Sequence, residues 1–365
     1  MKHRLIPALA ALALASASAL AQNSNQGVSK TEITIGSIQD LSGPIAGFGK
    51  QVRQGMLLRV DEANEQGGVN GRKIVLKIED SAYDPKKAVL AAQKLVNQDK
   101  VFAVVGHLGT AQNLAAMPVQ FEKNVINFFP VTAAREMYEP FNRLKYSFAA
   151  TYYDQMRIAT PKLVKEKNAK KVCALYQDDE FGLEVVRGAE DGLKEVGMTL
   201  AEKTSYKRGA TDFSSQVAKL KASGCDMVVL GTIIRETIGA IGESRKTGFN
   251  PVFLGSSAAY TDEPSQPIRF WANKYKTKFN EDPTVFSVYG YTLIDAFLRA
   301  SQKAGPNLNT DSFIKAMDTM TIPPDIFGSA ELTFSPTKRL GSNATRLSQL
   351  QDARWKVVSE YMSVK

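Results

Sequence analysis

The sequence predicts an α/β protein built from two doubly wound parallel sheets in tandem. Short apolar strands alternate with amphipathic helices along most of the 365 residues, an order typical of sheets covered by helices. Residues 101–105 and 125–129 are short, nearly continuous apolar runs, as expected of strands that are buried on both faces. After about Phe148 the pattern starts again, and the chain is long enough for two domains of ordinary size.

The elements follow from periodicity and helix-start signals. In the first half we predict strands at residues 32–38, 73–79, 101–105 and 125–129, and helices at about 51–66 and 85–98, in the order β-α-β-α-β-β. Asp84-Pro85 marks the start of the second helix, because Asp is a good N-cap and Pro fits the first helical position. In the second half we predict helices at 154–167, 183–196, 214–222 and 237–247, with strands at 171–176, 199–203, 226–230 and 251–254. The C-terminal part is mixed, with helices at about 287–304 and 311–317 and strands at 331–334 and 355–358.

The N-terminus has the layout of a secretory signal peptide. Lys2 and Arg4 precede the apolar run 5–20, and Ala19-Leu20-Ala21 forms an A-x-A site. The alternative is a transmembrane anchor, which is disfavoured because the run is shorter than the ~20 apolar residues of a span. We predict cleavage after Ala21, which leaves 344 residues. Since no Cys follows the site for lipid attachment, we expect a soluble periplasmic protein.

Charge and cysteine usage narrow the possible partners. The net charge of +9 comes from basic residues that are interspersed with acids, so we predict solvated helix faces and no nucleic-acid partner. Cys173 and Cys225 are the only cysteines, and an oxidising compartment would allow them to pair. Their separation in space does not follow from the sequence, and two buried free thiols are the favoured interpretation.

Nothing in the chain argues for catalysis. His107 is the only histidine outside the signal segment, which excludes a His-rich metal site. We find no G-x-S-x-G elbow, Walker loop or complete dinucleotide fingerprint. We therefore predict a protein that is not an enzyme and has no metal or cofactor. His107 is predicted to be a hydrogen-bonded turn residue, and a secreted hydrolase built on it is the enzymatic alternative.

Ligands of doubly wound sheets bind at the loops that follow the carboxyl ends of the strands. In the first half these loops carry Phe48 in a glycine-rich frame, and Thr110 and Thr132 next to apparent helix starts. A hydroxyl beside free N–H groups at a helix N-terminus suits a carboxylate, but the two threonines could equally cap their helices. In the second half the loops carry Phe181 and Ile233, for which packing is the favoured role, together with Ser257.

Several motifs, in order along the chain, resemble the leucine/isoleucine/valine-binding type of periplasmic solute receptors of ABC importers. They are residues 35–44 (IGSIQDLSGP), 66–72 (QGGVNGR), Asp80 with Asp84-Pro85, 105–108 (VGHL) and 179–182 (DEFG). The resemblance runs from about Glu32 to Val358 and implies the type I periplasmic binding protein fold, two Rossmann-like lobes that close on a ligand around a hinge of three crossings. Lobe 1 would comprise residues 31–148 and about 268–330, and lobe 2 residues 149–267 and about 331–365.

The resemblance also implies a ligand site. The ligand-binding set that it predicts is Phe48, Thr110, Thr132, Ala133, Phe181, Ile233 and Ser257. Thr110 would bind the α-carboxylate, and Ser257 stands where amino-acid-binding members have a Glu for the ligand ammonium. Burying an ammonium without a counter-charge costs several kcal/mol, so an aromatic or aliphatic monocarboxylate competes with a branched-chain amino acid as ligand. Arg235 is predicted to lie solvated at the rim, with a second anchor as the alternative.

The implied function is that of a monomeric solute-binding component that delivers a small molecule to an inner-membrane ABC permease. A receptor for a membrane signalling partner is the alternative. Two departures from the family stand out. The disulfide of its first domain is absent, its positions being Tyr83 and Gly109. The ten residues 258–267 span at most ~33–36 Å, too little for a crossing, a helix and a strand together, so lobe 2 would lack an edge strand or close imperfectly.

Overall fold

The computed structural model describes residues 26–259, 268–352 and 354–363. The predicted signal peptide, residues 1–21, lies outside these ranges, as do residues 260–267 of the short segment, so both remain predictions. Within the described part of the chain, no helix combines the length and apolar character that a membrane crossing needs.

The first sheet is wholly parallel. Its strands are β1 (Glu32–Gln39), β2 (Lys73–Asp80), β3 (Ala103–Val105), β4 (Ile126–Phe128) and β5 (Lys145–Tyr146). They lie in the order β2-β1-β3-β4-β5. β1 and β2 pair along their whole length, from Glu32 opposite Lys73 to Gln39 opposite Asp80. All five carboxyl ends therefore meet at one edge, where the predicted binding loops begin.

Three helices connect the strands of this sheet: α1 (Ala46–Glu65), α2 (Pro85–Gln93) and α3 (Thr110–Glu122). The predicted start of α2 is confirmed, since the Asp84 carboxylate accepts the N–H groups of Lys86 and Lys87. Residues Lys94–Gln98 continue α2 as a π-helical turn, and Arg135–Met137 form a 3-10 turn. The predicted strand order left out α3, which separates β3 from β4. Its buried face carries Gln112, Asn113 and Gln120, and Pro118 lies inside it, so the usual apolar periodicity is missing.

The second sheet repeats the design. Its elements are α4 (Tyr152–Lys167), β6 (Val172–Gln177), α5 (Glu180–Lys194), β7 (Glu202–Tyr206), α6 (Ser214–Ala222), β8 (Met227–Gly231), α7 (Ile234–Lys246) and β9 (Val252–Gly255). The strands are parallel, in the order β7-β6-β8-β9, and a 3-10 turn at Ser257–Ala259 follows β9. Every predicted element of this half is present, with shifts of a few residues at the ends.

The C-terminal part returns to the first sheet. Its elements are α8 (Arg269–Phe279), α9 (Val285–Ala304), α10 (Thr310–Met317), β10 (Thr321–Ile322), β11 (Leu332–Thr333), β12 (Ser348–Gln351) and β13 (Arg354–Val357). Helices α1 and α9 touch backbone to backbone, because a side chain on Gly55 would collide with the Ser287 carbonyl oxygen and one on Gly290 with that of Val52. The sequence did not predict α8, whose Trp271 and Tyr275 pack with Leu58 of α1.

Helices cover both faces of each sheet, which confirms the doubly wound prediction. One face of the first sheet packs with α1, α9 and α10, and the other with α2 and α3. In the second sheet, α4 and α5 cover one face, and α6 and α7 the other. Leu332 and Phe334, which the predicted bounds assign to lobe 2, pack in the hydrophobic core of the first sheet. The lobe bounds themselves remain a prediction.

Cys173 and Cys225 form a disulfide, with their Cα atoms 5.9 Å apart. The expectation of two free thiols is therefore wrong. The reason lies in strand pairing: β6 and β8 are neighbours, with Val172 opposite Met227, so the two cysteines meet near the amino ends of the strands. Which strands of a doubly wound sheet are adjacent is a tertiary property that the sequence does not display.

Candidate functional site

One cavity of about 80 Å³ lies where the carboxyl ends of the two sheets face each other. Residues of the predicted ligand-binding set share it: Phe48, Thr110, Thr132, Ala133, Phe181, Ile233 and Ser257 all line the cavity. Their contact with a ligand remains a prediction. The volume is well below the ~300 Å³ of pockets for drug-sized ligands, so this conformation suits a small molecule.

Two threonine hydroxyls form the polar end of the cavity. Thr110 Oγ1 and Thr132 Oγ1 are 2.6 Å apart and hydrogen-bonded. Thr110 is the first residue of α3, and the residue before it, Gly109, is the N-cap with φ of 101°. Because the first N–H groups of an α-helix lack intrahelical acceptors, this end of the cavity offers both hydroxyl and amide donors to an anion.

Neither threonine caps a helix, so the capping alternative is wrong for both. The Thr110 side chain makes no cap hydrogen bond on α3. Thr132 does not stand at an α-helix start, since the short 3-10 turn Arg135–Met137 follows it and has Ala134 as its N-cap. The hydroxyls instead bond to each other inside the cavity.

Tyr152 joins the threonine pair from α4. Its backbone N–H donates to the Ala133 carbonyl oxygen at 2.7 Å, which ties the loop after β4 to the start of α4. Burial raises the pKa of the Tyr152 phenol, and hydrogen bonds from the Ala133 backbone and the Thr132 hydroxyl offset only part of that rise. The phenol is therefore a neutral donor at physiological pH.

The remaining wall is apolar and largely aromatic. Phe48 stacks on Phe286 of α9, with ring centroids 3.9 Å apart. Phe181 meets the Tyr152 ring edge-on at 5.0 Å. Phe181 and Ile233 also pack in the hydrophobic core between the second sheet and the helices α4 and α5. The packing role favoured from sequence therefore coexists with their position at the cavity. Among the described residues that line the cavity, none has a side chain that is charged at neutral pH.

The side-chain amide of Gln155 makes two hydrogen bonds to Ser257. Gln155 of α4 accepts the Ser257 backbone N–H through Oε1 at 2.9 Å, and its Nε2 donates to the Ser257 hydroxyl at 3.0 Å. The same Nε2 donates to the Ala150 carbonyl oxygen at 2.8 Å. These hydrogen bonds join the loop after β9 to the chain segment that leaves the first sheet.

Arg235 and His107 lie outside the cavity lining. Arg235 Nη2 pairs with Glu236 Oε1 at 2.6 Å, so the second-anchor alternative lacks support. His107 is fully buried, and burial lowers its pKa to about 3. Neither of its ring nitrogens has a partner among the described residues, and the hydrogen bonds of this residue are those that its carbonyl oxygen accepts from Val131 and Asn113. A neutral ring away from the cavity gives no support to a hydrolase.

An ion pair with a buried carboxylate joins the two sheet units. Arg135, after β4, donates through Nε to Glu184 Oε1 of α5 at 2.7 Å, and through Nη2 to Oε2 at 3.2 Å. Its guanidinium also lies 3.8 Å from the centroid of the Tyr153 ring. The Glu184 side chain is 0% exposed. Burial, with a smaller contribution from Glu136, raises the pKa of this carboxyl although Arg135 lowers it.

Sequence reasoning missed five aromatic residues of the lining: Tyr83, Phe148, Tyr152, Phe286 and Tyr289. Tyr152 follows the end of the first sheet, a position that topology could have indicated. Phe286 and Tyr289 lie on α9, far along the chain from the loops, and no local signal points to them.

Tyr83 has a left-handed φ of 56°. A Cβ on Gly109 would lie 2.9 Å from its ring, so the two positions of the family disulfide are neighbours here.

The family model of the periplasmic binding proteins matches residues 32–264 and 252–354. The chain belongs to this family. It is 30% identical over 67% of its length to an amino acid binding protein of Pseudomonas aeruginosa. It is 28% identical over 72% of its length to Leu/Ile/Val-binding protein homolog 7 of Brucella suis. The matched regions span 66% of each relative's length, and both relatives are named as binding proteins.

A solved structure shows the same fold. It is the solute-binding protein of an ABC transporter from Rhodopseudomonas palustris BisB5, in complex with 3,4-dihydroxybenzoic acid. The TM-score is 0.79 at 20% identity, over 92% of this chain and 98% of that one. The predicted type I periplasmic binding protein fold is confirmed, and the chain is a periplasmic binding protein of the Leu/Ile/Val-binding type.

Proposed function

We propose that this periplasmic binding protein is the exported solute-binding component of an ABC importer and captures a small monocarboxylate. The observation that carries the proposal is the hydrogen-bonded pair of threonine hydroxyls, Thr110 at the start of α3 and Thr132 in the loop after β4, inside an otherwise largely apolar cavity. Hydroxyl and amide donors suit a carboxylate, and the aromatic wall suits an apolar or aromatic body. The neighbour that binds 3,4-dihydroxybenzoic acid indicates that this fold can hold an aromatic acid.

A branched-chain amino acid is the competing ligand, and the names of the relatives favour it. Charge argues against it. An ammonium buried in this cavity would meet no carboxylate among the described lining residues, and an unpaired buried charge costs several kcal/mol. Ser257 offers a hydroxyl that Gln155 already engages. A plain acid avoids this cost.

The proposed mechanism is lobe closure. Lobe 1, residues 31–148 and about 268–330, supplies the threonines, and lobe 2, residues 149–267 and about 331–365, supplies Phe181, Ile233 and Ser257. A ligand that contacts both lobes binds the closed form more tightly, and it shifts the population by that difference in affinity. The closed form of the monomer is then what the permease recognises.

Matched ligand pairs test the proposal. The mature chain is titrated with leucine and 4-methyl-2-oxopentanoate, and with phenylalanine and 3-phenylpropanoate, by calorimetry and by thermal shift. We expect the acids without an ammonium to bind, and a ligand at 100 times its Kd to stabilise the protein by about 2.7 kcal/mol. Binding of the amino acids alone would overturn the choice of ligand class. Stimulation of ATP hydrolysis by the cognate permease in proteoliposomes, only with loaded protein, tests the importer role.

Thr110→Val is expected to weaken binding of the carboxylate ligand by about 10- to 100-fold, because a hydrogen bond to a charged group contributes about 1.5–3 kcal/mol. The variant keeps the shape of the side chain and removes its hydroxyl. Thr110→Ser is the matched control, since it keeps the hydroxyl and should bind within a few-fold of wild type. Calorimetric Kd values of the three proteins decide the outcome. Equal affinity of the Val variant and wild type would remove Thr110 from the site.

A further inference from the structure

We propose that the Tyr289 hydroxyl is a specificity-determining donor that selects acids with a second oxygen, a hydroxy or oxo group, over their unsubstituted counterparts. This inference rests on the proposed carboxylate-binding function and adds a second recognised group to the ligand. Tyr289 lies on α9, in a part of the chain that supplied none of the predicted site residues, and it lines the cavity.

Tyr289 adds a further hydroxyl to the polar groups that line the cavity. The two threonine hydroxyls bond to each other, and Ser257 is engaged by Gln155. Thr132 and Ala133 lower the pKa of the Tyr152 phenol, and Gln177 lowers that of Tyr83, so donor groups face both of these oxygens. No described residue supplies such a partner to the Tyr289 hydroxyl, whereas its ring is fixed by edge contacts with Phe148 and Phe286.

The protonation state of Tyr289 makes it a donor. Burial, with a smaller contribution from Tyr152, raises the pKa of its phenol to about 12. The group is therefore neutral over the physiological range and carries one O–H to donate. Leaving this donor without an acceptor inside the cavity is unfavourable. A ligand oxygen within reach removes that cost, and an aliphatic or aromatic C–H in the same place does not.

The proposal separates two roles of the ligand's oxygens. Thr110, Thr132 and the start of α3 hold the carboxylate, and Tyr289 contacts the second oxygen from the aromatic wall. A cavity that is built to hydrogen-bond a substrate group discriminates strongly against the analogue that lacks it. The substrate class is thus a small oxygenated monocarboxylic acid, such as a hydroxylated aromatic acid or a 2-oxo acid.

The test is a cycle of ligand pairs and variants. Kd values are measured for benzoate and 4-hydroxybenzoate, and for 3-phenylpropanoate and phenylpyruvate, with wild type and with Tyr289→Phe. We expect wild type to prefer the oxygenated member of at least one pair by about tenfold or more, and Tyr289→Phe to lose that preference while it binds the unsubstituted acid as wild type does. Tyr291→Phe is the matched control, because Tyr291 lies two residues along α9 and donates to Glu62. It should keep the preference.

The outcomes are distinguishable. If Tyr289→Phe weakens both members of a pair equally, its hydroxyl contacts the carboxylate or acts structurally, and the specificity role is overturned. If wild type binds the acids with no preference for the oxygenated members, the inference fails while the proposed function stands. If no carboxylic acid binds to wild type, the proposed function fails and the inference falls with it.

Discussion

Arg135→Met is expected to lower the free energy of unfolding by about 3–5 kcal/mol, because it leaves a buried carboxylate without its partner. The Glu184 side chain is 0% exposed, whereas that of Arg135 is 29% exposed. The two partners therefore differ in burial, and the carboxylate depends on the ion pair more than the guanidinium does. Arg187 Nη1 lies 3.7 Å from Glu184 Oε2, but its side chain is half exposed, so it compensates only in part.

Glu184→Gln is the matched control. It is close to Glu in shape and removes the buried charge, and Arg135 can reach water, so we expect a loss of only about 1 kcal/mol. The double variant Arg135→Met/Glu184→Leu should recover at least half of the stability that the single Met variant loses, since a buried pair can be replaced by apolar residues at little cost. Urea unfolding followed by circular dichroism measures all four proteins. Equal and small losses in the two single variants would contradict this account.

The pH dependence of Arg135→Met has a definite sign. Burial raises the pKa of Glu184 in the folded protein above its unfolded value, so the folded state binds a proton more readily than the unfolded chain. A raised carboxyl pKa makes the free energy of unfolding fall as pH rises through the folded pKa. Without Arg135 that pKa rises further. The deficit of Arg135→Met relative to wild type should therefore be smaller at pH 5 than at pH 7.

Cys173→Ala/Cys225→Ala is expected to lower the free energy of unfolding by about 4 kcal/mol. The disulfide closes a loop of 52 residues, and in the chain-entropy model a loop of that length contributes about 4 kcal/mol. Both cysteines lie in the core between the second sheet and α6 and α7. Alanine keeps the sites apolar. Calorimetric or denaturant unfolding of the variant and wild type measures the difference.

Ligand binding is the control for the disulfide variant. Cys173 lies near the amino end of β6 and Cys225 just before β8, whereas the cavity adjoins the carboxyl ends, so Kd should remain within a few-fold of wild type. Thiol titration of denatured wild type, without reductant, should find no free thiol. Two free thiols would contradict the disulfide. An unchanged stability in the variant would show that the cross-link does not limit the unfolded chain.

Some of the fold follows from local sequence alone. The apolar runs that form β3, β4 and β8 are buried on both faces. Such runs can be recognised as strands from the local sequence, because they are nearly continuously apolar. The start of α2 depends on Asp84 and Pro85, two adjacent residues. By contrast, α3 buries amides and contains Pro118, and α8 depends on Trp271 and Tyr275 meeting α1. Local pattern gave only an apparent start for α3, at Thr110, and no signal for α8.

The candidate site divides in the same way. Because parallel strands bring their carboxyl ends to one edge, the loops with Thr110, Thr132 and Ser257 could be assigned to one site from topology and resemblance. The hydrogen bonds that these residues make could not be predicted from the sequence. Whether Thr110 caps α3 or bonds to Thr132 depends on a distance between loops 22 residues apart.

By itself, the sequence determined the fold class, the family and the loops that line the cavity, because apolar periodicity, turn residues and motifs are local properties. Only the tertiary structure decided that Cys173 and Cys225 pair, that Arg135 and Glu184 link the two units, and that α9 supplies Phe286 and Tyr289 to the cavity. Each of these depends on segments distant in the chain that pack together, and their relative placement comes from burying both faces of two sheets at once.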